Sequence, residues 1–156
     1  MFEAFRQGTP VELWQALMQE AYGQTGRRLD ESSESYLVFV LLRYQADHQL
    51  LSHTQGVEWL QALELVGRAR TDALRDVGDR CLLVAGLFPG LAERRRVSVD
   101  YFITIGRSAY QGVADATRQA YAELYEQLAR SYRELVRTLD AMRTLSKVPS
   151  VPVVTH

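Results

Sequence analysis

A chain of 156 residues, 47% hydrophobic and 24% charged, is long enough to bury a core and too apolar to remain disordered. Its formal net charge of −1 gives no general attraction to nucleic acid or to an anionic membrane surface. The single cysteine, Cys81, excludes an internal disulfide and a multi-cysteine zinc site.

Charge is unevenly spread. Residues 1–78 hold 7 Arg against 11 Asp and Glu, and residues 79–156 hold 11 Lys and Arg against 8 acids. The halves therefore carry −4 and +3. Lys147 is the only lysine, a bias expected of a GC-rich genome as readily as of a selected guanidinium chemistry. Met1-Phe2-Glu3-Ala4-Phe5-Arg6 has neither the basic start nor the apolar run of a signal peptide. The longest apolar run, Tyr36 to Leu42, falls far short of the roughly 20 residues that span a bilayer. With no need for a disulfide, the expected location is cytoplasmic, with neither membrane nor nucleic acid as a partner.

Thr9-Pro10-Val11-Glu12 opens the first helix. The hydroxyl and the carboxylate can satisfy free backbone N–H groups reciprocally, and proline suits the first helical position. Trp14, Leu17, Met18, Ala21 and Tyr22 share one face, and Gly23 and Gly26 end it. Asp30 to Ser35 is rich in capping side chains. The run Tyr36 to Leu42 that follows is apolar on every side. A buried strand competes with a helix there, but no turn residues follow Leu42 and no second strand pattern exists to pair with it. The run reads as the central helix of a bundle.

A polar link, Asp47 to Gln55, precedes a helical stretch in which Val57, Leu60 and Leu63 lie along one stripe with Trp59 beside it. Gly67 is a candidate break. Leu74, Val77, Cys81, Val84 and Phe88 recur at spacings of three and four until Pro89-Gly90 stops the helix. Arg94-Arg95-Arg96 sits on a connection, Ser98 is a candidate N-cap, and Val99, Phe102, Ile103, Gly106, Tyr110 and Val113 line the next inner face, with a break expected near Gly112. From Ala114 to Leu145, Tyr121, Tyr125, Leu128, Tyr132, Leu135, Leu139 and Met142 alternate spacings of four and three. The expected architecture is an all-α bundle of five or six helices with a long C-terminal helix. It forms one domain over residues 1–146, with a flexible tail over 147–156.

Two features invite function. The heptad is either a coiled-coil seam or an ordinary face turned to its own core. Tyrosine at three of its seven positions suits a partly wet groove edge, which makes Tyr121, Tyr125, Tyr132 and Leu139 a candidate interaction surface. The second feature is a polar seam between the two helices flanking Pro89, where a short connection makes them antiparallel neighbours. Asp79, Arg80, Tyr101, Arg107 and Tyr110 are its candidate ligand-binding residues, and a structural salt-bridge network is the competing reading. No complete catalytic constellation, phosphate-binding glycine loop or Glu-x-x-His pair is present, so no catalytic residue, metal site or cofactor is assigned. Asp47 with His48 and His53 would bind a metal only if the link folded back.

Val77-Gly78-Asp79-Arg80-Cys81-Leu82, Gly86-Leu87-Phe88-Pro89, Val99-Asp100-Tyr101-Phe102 and Ile105-Gly106-Arg107-Ser108-Ala109-Tyr110 resemble a family of uncharacterised bacterial all-helical proteins. The resemblance covers about a fifth of the chain and departs from the family pattern at Phe102, where a second tyrosine is expected. It implies a bacterial source and no activity. The leading expectation is a non-enzymatic helical protein acting by self-association or by binding another protein. The alternative is a small-molecule-binding protein or enzyme with a polar pocket near Asp79 and Tyr110.

Overall fold

A computed structural model describes residues 8–47 and 55–146. Among them are eight helices and no strand: α1 (Pro10–Thr25), α2 (Glu31–Ala46), α3 (Gln55–Leu63), α4 (Gly67–Gly86), α5 (Pro89–Arg94), α6 (Val99–Ala116), α7 (Gln119–Arg130) and α8 (Tyr132–Ser146). No helix among the described residues is long and apolar enough to cross a membrane. The tail expected over residues 147–156 lies outside the described residues.

The all-α class stands, and the count of five or six does not. Two local events account for the difference. Pro89 pre-sets the backbone angle for a first helical turn as well as ending α4, so the connection itself winds into the six-residue α5. The long C-terminal helix is interrupted at Ser131, whose hydroxyl accepts a hydrogen bond from the Gln127 side-chain amide at 2.9 Å. Backbone bonds on either side keep helical spacing, from Ser131 to Gln127 at 2.9 Å and from Leu135 to Ser131 at 3.0 Å. The boundary between α7 and α8 is thus a single turn residue, with φ −95° and ψ 13°, inside a ladder that keeps helical spacing.

Helix ends follow local chemistry. At α1 the Thr9 hydroxyl accepts from the Glu12 N–H at 3.2 Å while Glu12 Oε1 accepts from the Thr9 N–H at 2.8 Å. Gly26, at φ 72°, ends it in the left-handed region and donates to Tyr22 O. Ser98 caps α6 through the Tyr101 N–H at 3.1 Å. The break expected near Gly112 comes instead at Thr117, whose backbone turns extended and whose hydroxyl donates to Val113 O at 2.8 Å. Gly112 stays helical, facing Leu74 of α4.

The central helix is α4, and the expectation that the apolar run of α2 would hold that place is corrected. α4 packs against α3, α5, α6 and α8, and every residue from Cys81 to Gly86 is buried. α2 packs against α1 and α7 and leaves Phe39 46% exposed. Buried side chains from α1, α2, α3, α4, α5, α6, α7 and α8 join in a single apolar cluster.

Candidate functional site

In the middle of that apolar cluster lies a carboxylate. Asp79, on α4, is 2% exposed. A charge there costs several kcal/mol of lost hydration unless donors replace the water. Three donors do. Oδ1 accepts from the Tyr110 hydroxyl of α6 at 2.6 Å and from the Tyr36 hydroxyl of α2 at 2.7 Å. Oδ2 accepts from Arg43 Nη1, the residue that follows the apolar run of α2, at 2.7 Å. Tyr125 of α7 extends the network by donating to the Tyr36 hydroxyl at 3.3 Å. Tyr132 of α8 donates to the Gly78 carbonyl, the backbone next to Asp79, at 2.8 Å.

The rings carrying these hydroxyls also pack on one another. Tyr36 meets Tyr110 and Tyr125 edge-on at centroid distances of 5.8 and 5.4 Å, and Tyr110 meets Tyr132 at 5.4 Å. Glycines make the room. A methyl group at Gly78 would collide with the Tyr110 ring, and one at Gly106 with the Tyr132 hydroxyl. Gly86 likewise faces Leu139 of α8. Small residues at the expected α4–α6 seam thus admit side chains of α6 and α8 as well as bringing two backbones together.

Electrostatics follow from burial. Loss of water pushes the Asp79 carboxyl up to about 6, against the opposing pull of the Tyr110 and Tyr36 hydroxyls and the Arg43 guanidinium. Burial holds the Tyr36, Tyr110 and Tyr132 phenols well above their ordinary value, and the nearby Asp79 charge adds to it. Toward the surface, Arg43 Nη1 reaches Asp76 Oδ1 at 3.1 Å, and Arg75 Nη2 reaches the same oxygen at 3.5 Å. Both Asp79 oxygens are taken and both tyrosine protons are directed at Oδ1. Chemically, this arrangement is a crosslink of α2, α4, α6 and α7, and a ligand could reach the carboxylate only by displacing a hydroxyl.

Of the residues singled out from the sequence, Asp79 and Tyr110 are brought together and the other three are not. Arg80 turns to Glu58 of α3 at 3.5 Å. Tyr101 is 41% exposed, with its hydroxyl against Gly56. Arg107 is exposed on the outer face of α6. The residues missed are Tyr36, Arg43 and Tyr125. A buried carboxylate must find donors, and Tyr36 at the start of the apolar run with Arg43 at its end was the available signal.

The candidate interaction surface on the heptad is also corrected. Tyr125, Tyr132 and Leu139 are at most 5% exposed, turned into the chain's own core by α4 and α6, and only Tyr121, at 68%, faces outward. The outward apolar face lies elsewhere, on α3. Glu58 and Ala62, one turn apart, face α4, through the Arg80 ion pair and through burial of Ala62 to 2%. That orientation turns the stripe outward: Val57 is 52%, Leu60 60% and Leu63 36% exposed, and Val66, just beyond the helix, 81%.

Among the described residues, no group of three or more His, Cys, Asp or Glu is placed to hold a metal. His48 and His53 lie outside them. Cys81 is fully buried, and loss of water pushes its thiol up, away from the reactive thiolate. The chain matches no protein-family model, no curated protein and no solved structure.

Proposed function

We propose that this chain acts by associating with protein through the apolar face of α3, and that it is not an enzyme. The observation carrying this reading is the outward stripe Val57, Leu60 and Leu63 of α3, held in place by the Glu58–Arg80 pair, with Val66 exposed on the connection that follows. Single exposed leucines are ordinary, whereas a contiguous exposed apolar patch is characteristic of an interaction site, and the three exposed residues of α3 lie side by side. The polar cluster supports the same reading from the other side, because its donors and acceptors are spent on one another. Native mass spectrometry of gently purified protein tests it. The intact chain should retain a protein complex that Leu60→Glu loses. A complex kept unchanged by Leu60→Glu would overturn it.

A second reading, a polar small molecule at the rim of the Asp79 cluster, has one observation in its favour. Arg75 Nε is a buried atom without a hydrogen-bond partner. The same spectra test it, since a retained small ligand lost in Arg75→Ala would favour this rim over α3.

A further inference from the structure

We propose that the Asp79 cluster is a proton-operated latch on α2, in which a proton taken up at Oδ2 displaces Arg43 from the carboxylate while both tyrosines stay bonded to Oδ1. An ionised carboxylate only accepts hydrogen bonds, and every group around this one donates to it. Tyr36 and Tyr110 direct their protons at Oδ1, and Arg43 Nη1 directs one at Oδ2 from 2.7 Å. An added proton must therefore face one of these donors. On Oδ1 it would meet two of them, and a phenol would have to turn away. Tyr110 makes no other hydrogen bond among the described residues, and its ring is fully buried. Tyr36 could turn only toward Tyr125, whose own proton already points at it. On Oδ2 the proton meets Arg43 alone, and a guanidinium cannot accept. Arg43 is also the one donor of the three with a second acceptor, because Nη1 lies 3.1 Å from Asp76 Oδ1. Arg43 therefore yields.

The charged and titratable groups around Asp79 come from five helices. α2 supplies Tyr36 and Arg43, α6 supplies Tyr110, and α7 supplies Tyr125 behind Tyr36. Tyr132 of α8 bonds the Gly78 carbonyl rather than the carboxylate. On α4 itself, Arg75 and Asp76 pair with each other at 3.5 Å, and Arg80 turns to Glu58 of α3. Burial raises all four phenols above their ordinary value, so they keep their protons at neutral pH. The Asp79 carboxyl, at about 6, changes charge between neutral and mildly acid pH. A proton and Arg43 exclude one another at Oδ2, so each weakens the other's hold by the same factor. Tyr36 bonds α2 to α4 from within the apolar run, and Arg43 does so from the last turn of α2. With Asp79 charged, both ties close on it. With Asp79 protonated, Tyr36 stays and Arg43 is left on Asp76, which is 28% exposed against 2% for Asp79. α2 then keeps its inner tie and loosens at its C-terminal turn.

Crystal structures of the full chain at about pH 4.5 and about pH 7.5, with a carbon and nitrogen NMR titration between them, test the latch. At the higher pH, Arg43 Nη1 should lie within hydrogen-bond distance of Asp79 Oδ2. At the lower pH it should stand more than about 3.5 Å from that oxygen and remain on Asp76, with both tyrosines still on Oδ1. In solution the Asp79 carboxyl carbon and the Arg43 Nη nitrogens should titrate with one midpoint. Asp79→Asn offers its carbonyl to the tyrosines and sets an N–H where Oδ2 stood. It should hold Arg43 in the acid position at both pH values. Arg43→Met removes the competitor and should raise the Asp79 midpoint by about one unit or more, tenfold or more in proton affinity. Wild-type Arg43 still bonded to Oδ2 at the lower pH overturns the proposal. So does a Tyr36 or Tyr110 hydroxyl that leaves Oδ1 there, an Asp79 carbon that does not titrate between the two pH values, or a midpoint that Arg43→Met leaves unmoved.

Discussion

The Tyr110 hydroxyl stands 2.6 Å from Asp79 Oδ1, and that oxygen also accepts from Tyr36 at 2.7 Å. Two neutral donors therefore share one buried acceptor while a cation, Arg43, takes the other oxygen. Removing the acceptor and removing the charge should have different consequences. Asp79→Ala strands two phenols and a guanidinium and should cost about 3–5 kcal/mol of unfolding free energy. Asp79→Asn keeps a carbonyl oxygen for the tyrosines and relieves the hydration penalty while losing the Arg43 pair. It should lie within about 1 kcal/mol of wild type at neutral pH. Urea melts of the two variants check this ordering.

The same carboxylate gives stability a pH dependence of definite sign. Its pKa is about 6 in the folded protein and 3.8 when unfolded, so between these values the folded state binds more protons. Its contribution to stability is fully present below about 3.8 and is lost as pH rises through about 6. At 1.36 kcal/mol per pKa unit, the span is about 3 kcal/mol. Other carboxylates titrate over the same window, so the diagnostic quantity is the difference between wild type and Asp79→Asn measured from pH 4 to pH 7. Wild type should lose stability relative to the variant as pH rises. A flat difference would show that Arg43 and the two hydroxyls offset the hydration loss completely.

The phenols should rank by their bonds. Tyr110→Phe removes a 2.6 Å bond to a buried carboxylate and should cost about 1.5–3 kcal/mol, as hydrogen bonds to charged groups do. Tyr125→Phe removes only a 3.3 Å bond to another hydroxyl and should cost about 0.5 kcal/mol. Thermal melts that reverse this order would mean that Tyr125, not Tyr110, anchors the cluster.

How much of this was readable beforehand depends on the distance over which sequence patterns act. Asp79 and Tyr110 were readable as a pair because a short connection folds α4 back against α6. Tyr36 and Arg43 lie 43 and 36 residues from Asp79, and no periodicity relates side chains on helices that far apart in the chain. Tyr36 was legible only as the first residue of an apolar run. The central helix was misplaced for a related reason. Mean hydropathy favours the continuous run of α2, whereas the buried residues of α4 include, beside Leu74, Val77 and Cys81 to Val84, the small Gly78, Ala85 and Gly86 and a carboxylate whose cost is met by partners elsewhere. The heptad of α7 and α8 was legible as a pattern, but its period is the same for a core face and for an interface.

Gly78 shows the cost of the close approach that those small residues allow. A side chain there would run into the Tyr110 ring, which is fixed by its bond to Asp79 and by packing against Tyr132. Gly78→Ala should therefore destabilise by about 1–3 kcal/mol, even though alanine is the better helix former by about 1 kcal/mol. Chemical denaturation measures the sum, and a stabilising result would require the Tyr110 ring to swing away from Asp79.

The orientation of α3 underlies the association reading, and stability measurements test it independently of any partner. Leu60 and Ala62 are two residues apart on this helix but face opposite ways, one 60% exposed and the other 2%. Leu60→Glu should change unfolding free energy by no more than about 0.5 kcal/mol, as exposed substitutions do. Ala62→Glu would place a long, charged side chain against α4 without a partner and should cost about 3 kcal/mol or more. Sequence pattern alone predicts the reverse, because leucine belongs to the apolar stripe and alanine does not. The outcome turns on the Glu58–Arg80 pair. Glu58 shares the inner face with Ala62, and a carboxylate on that face is tolerable only beside the Arg80 guanidinium. If Leu60→Glu proves the more damaging change, α3 is rolled about its axis, and its apolar stripe belongs to the core of the chain.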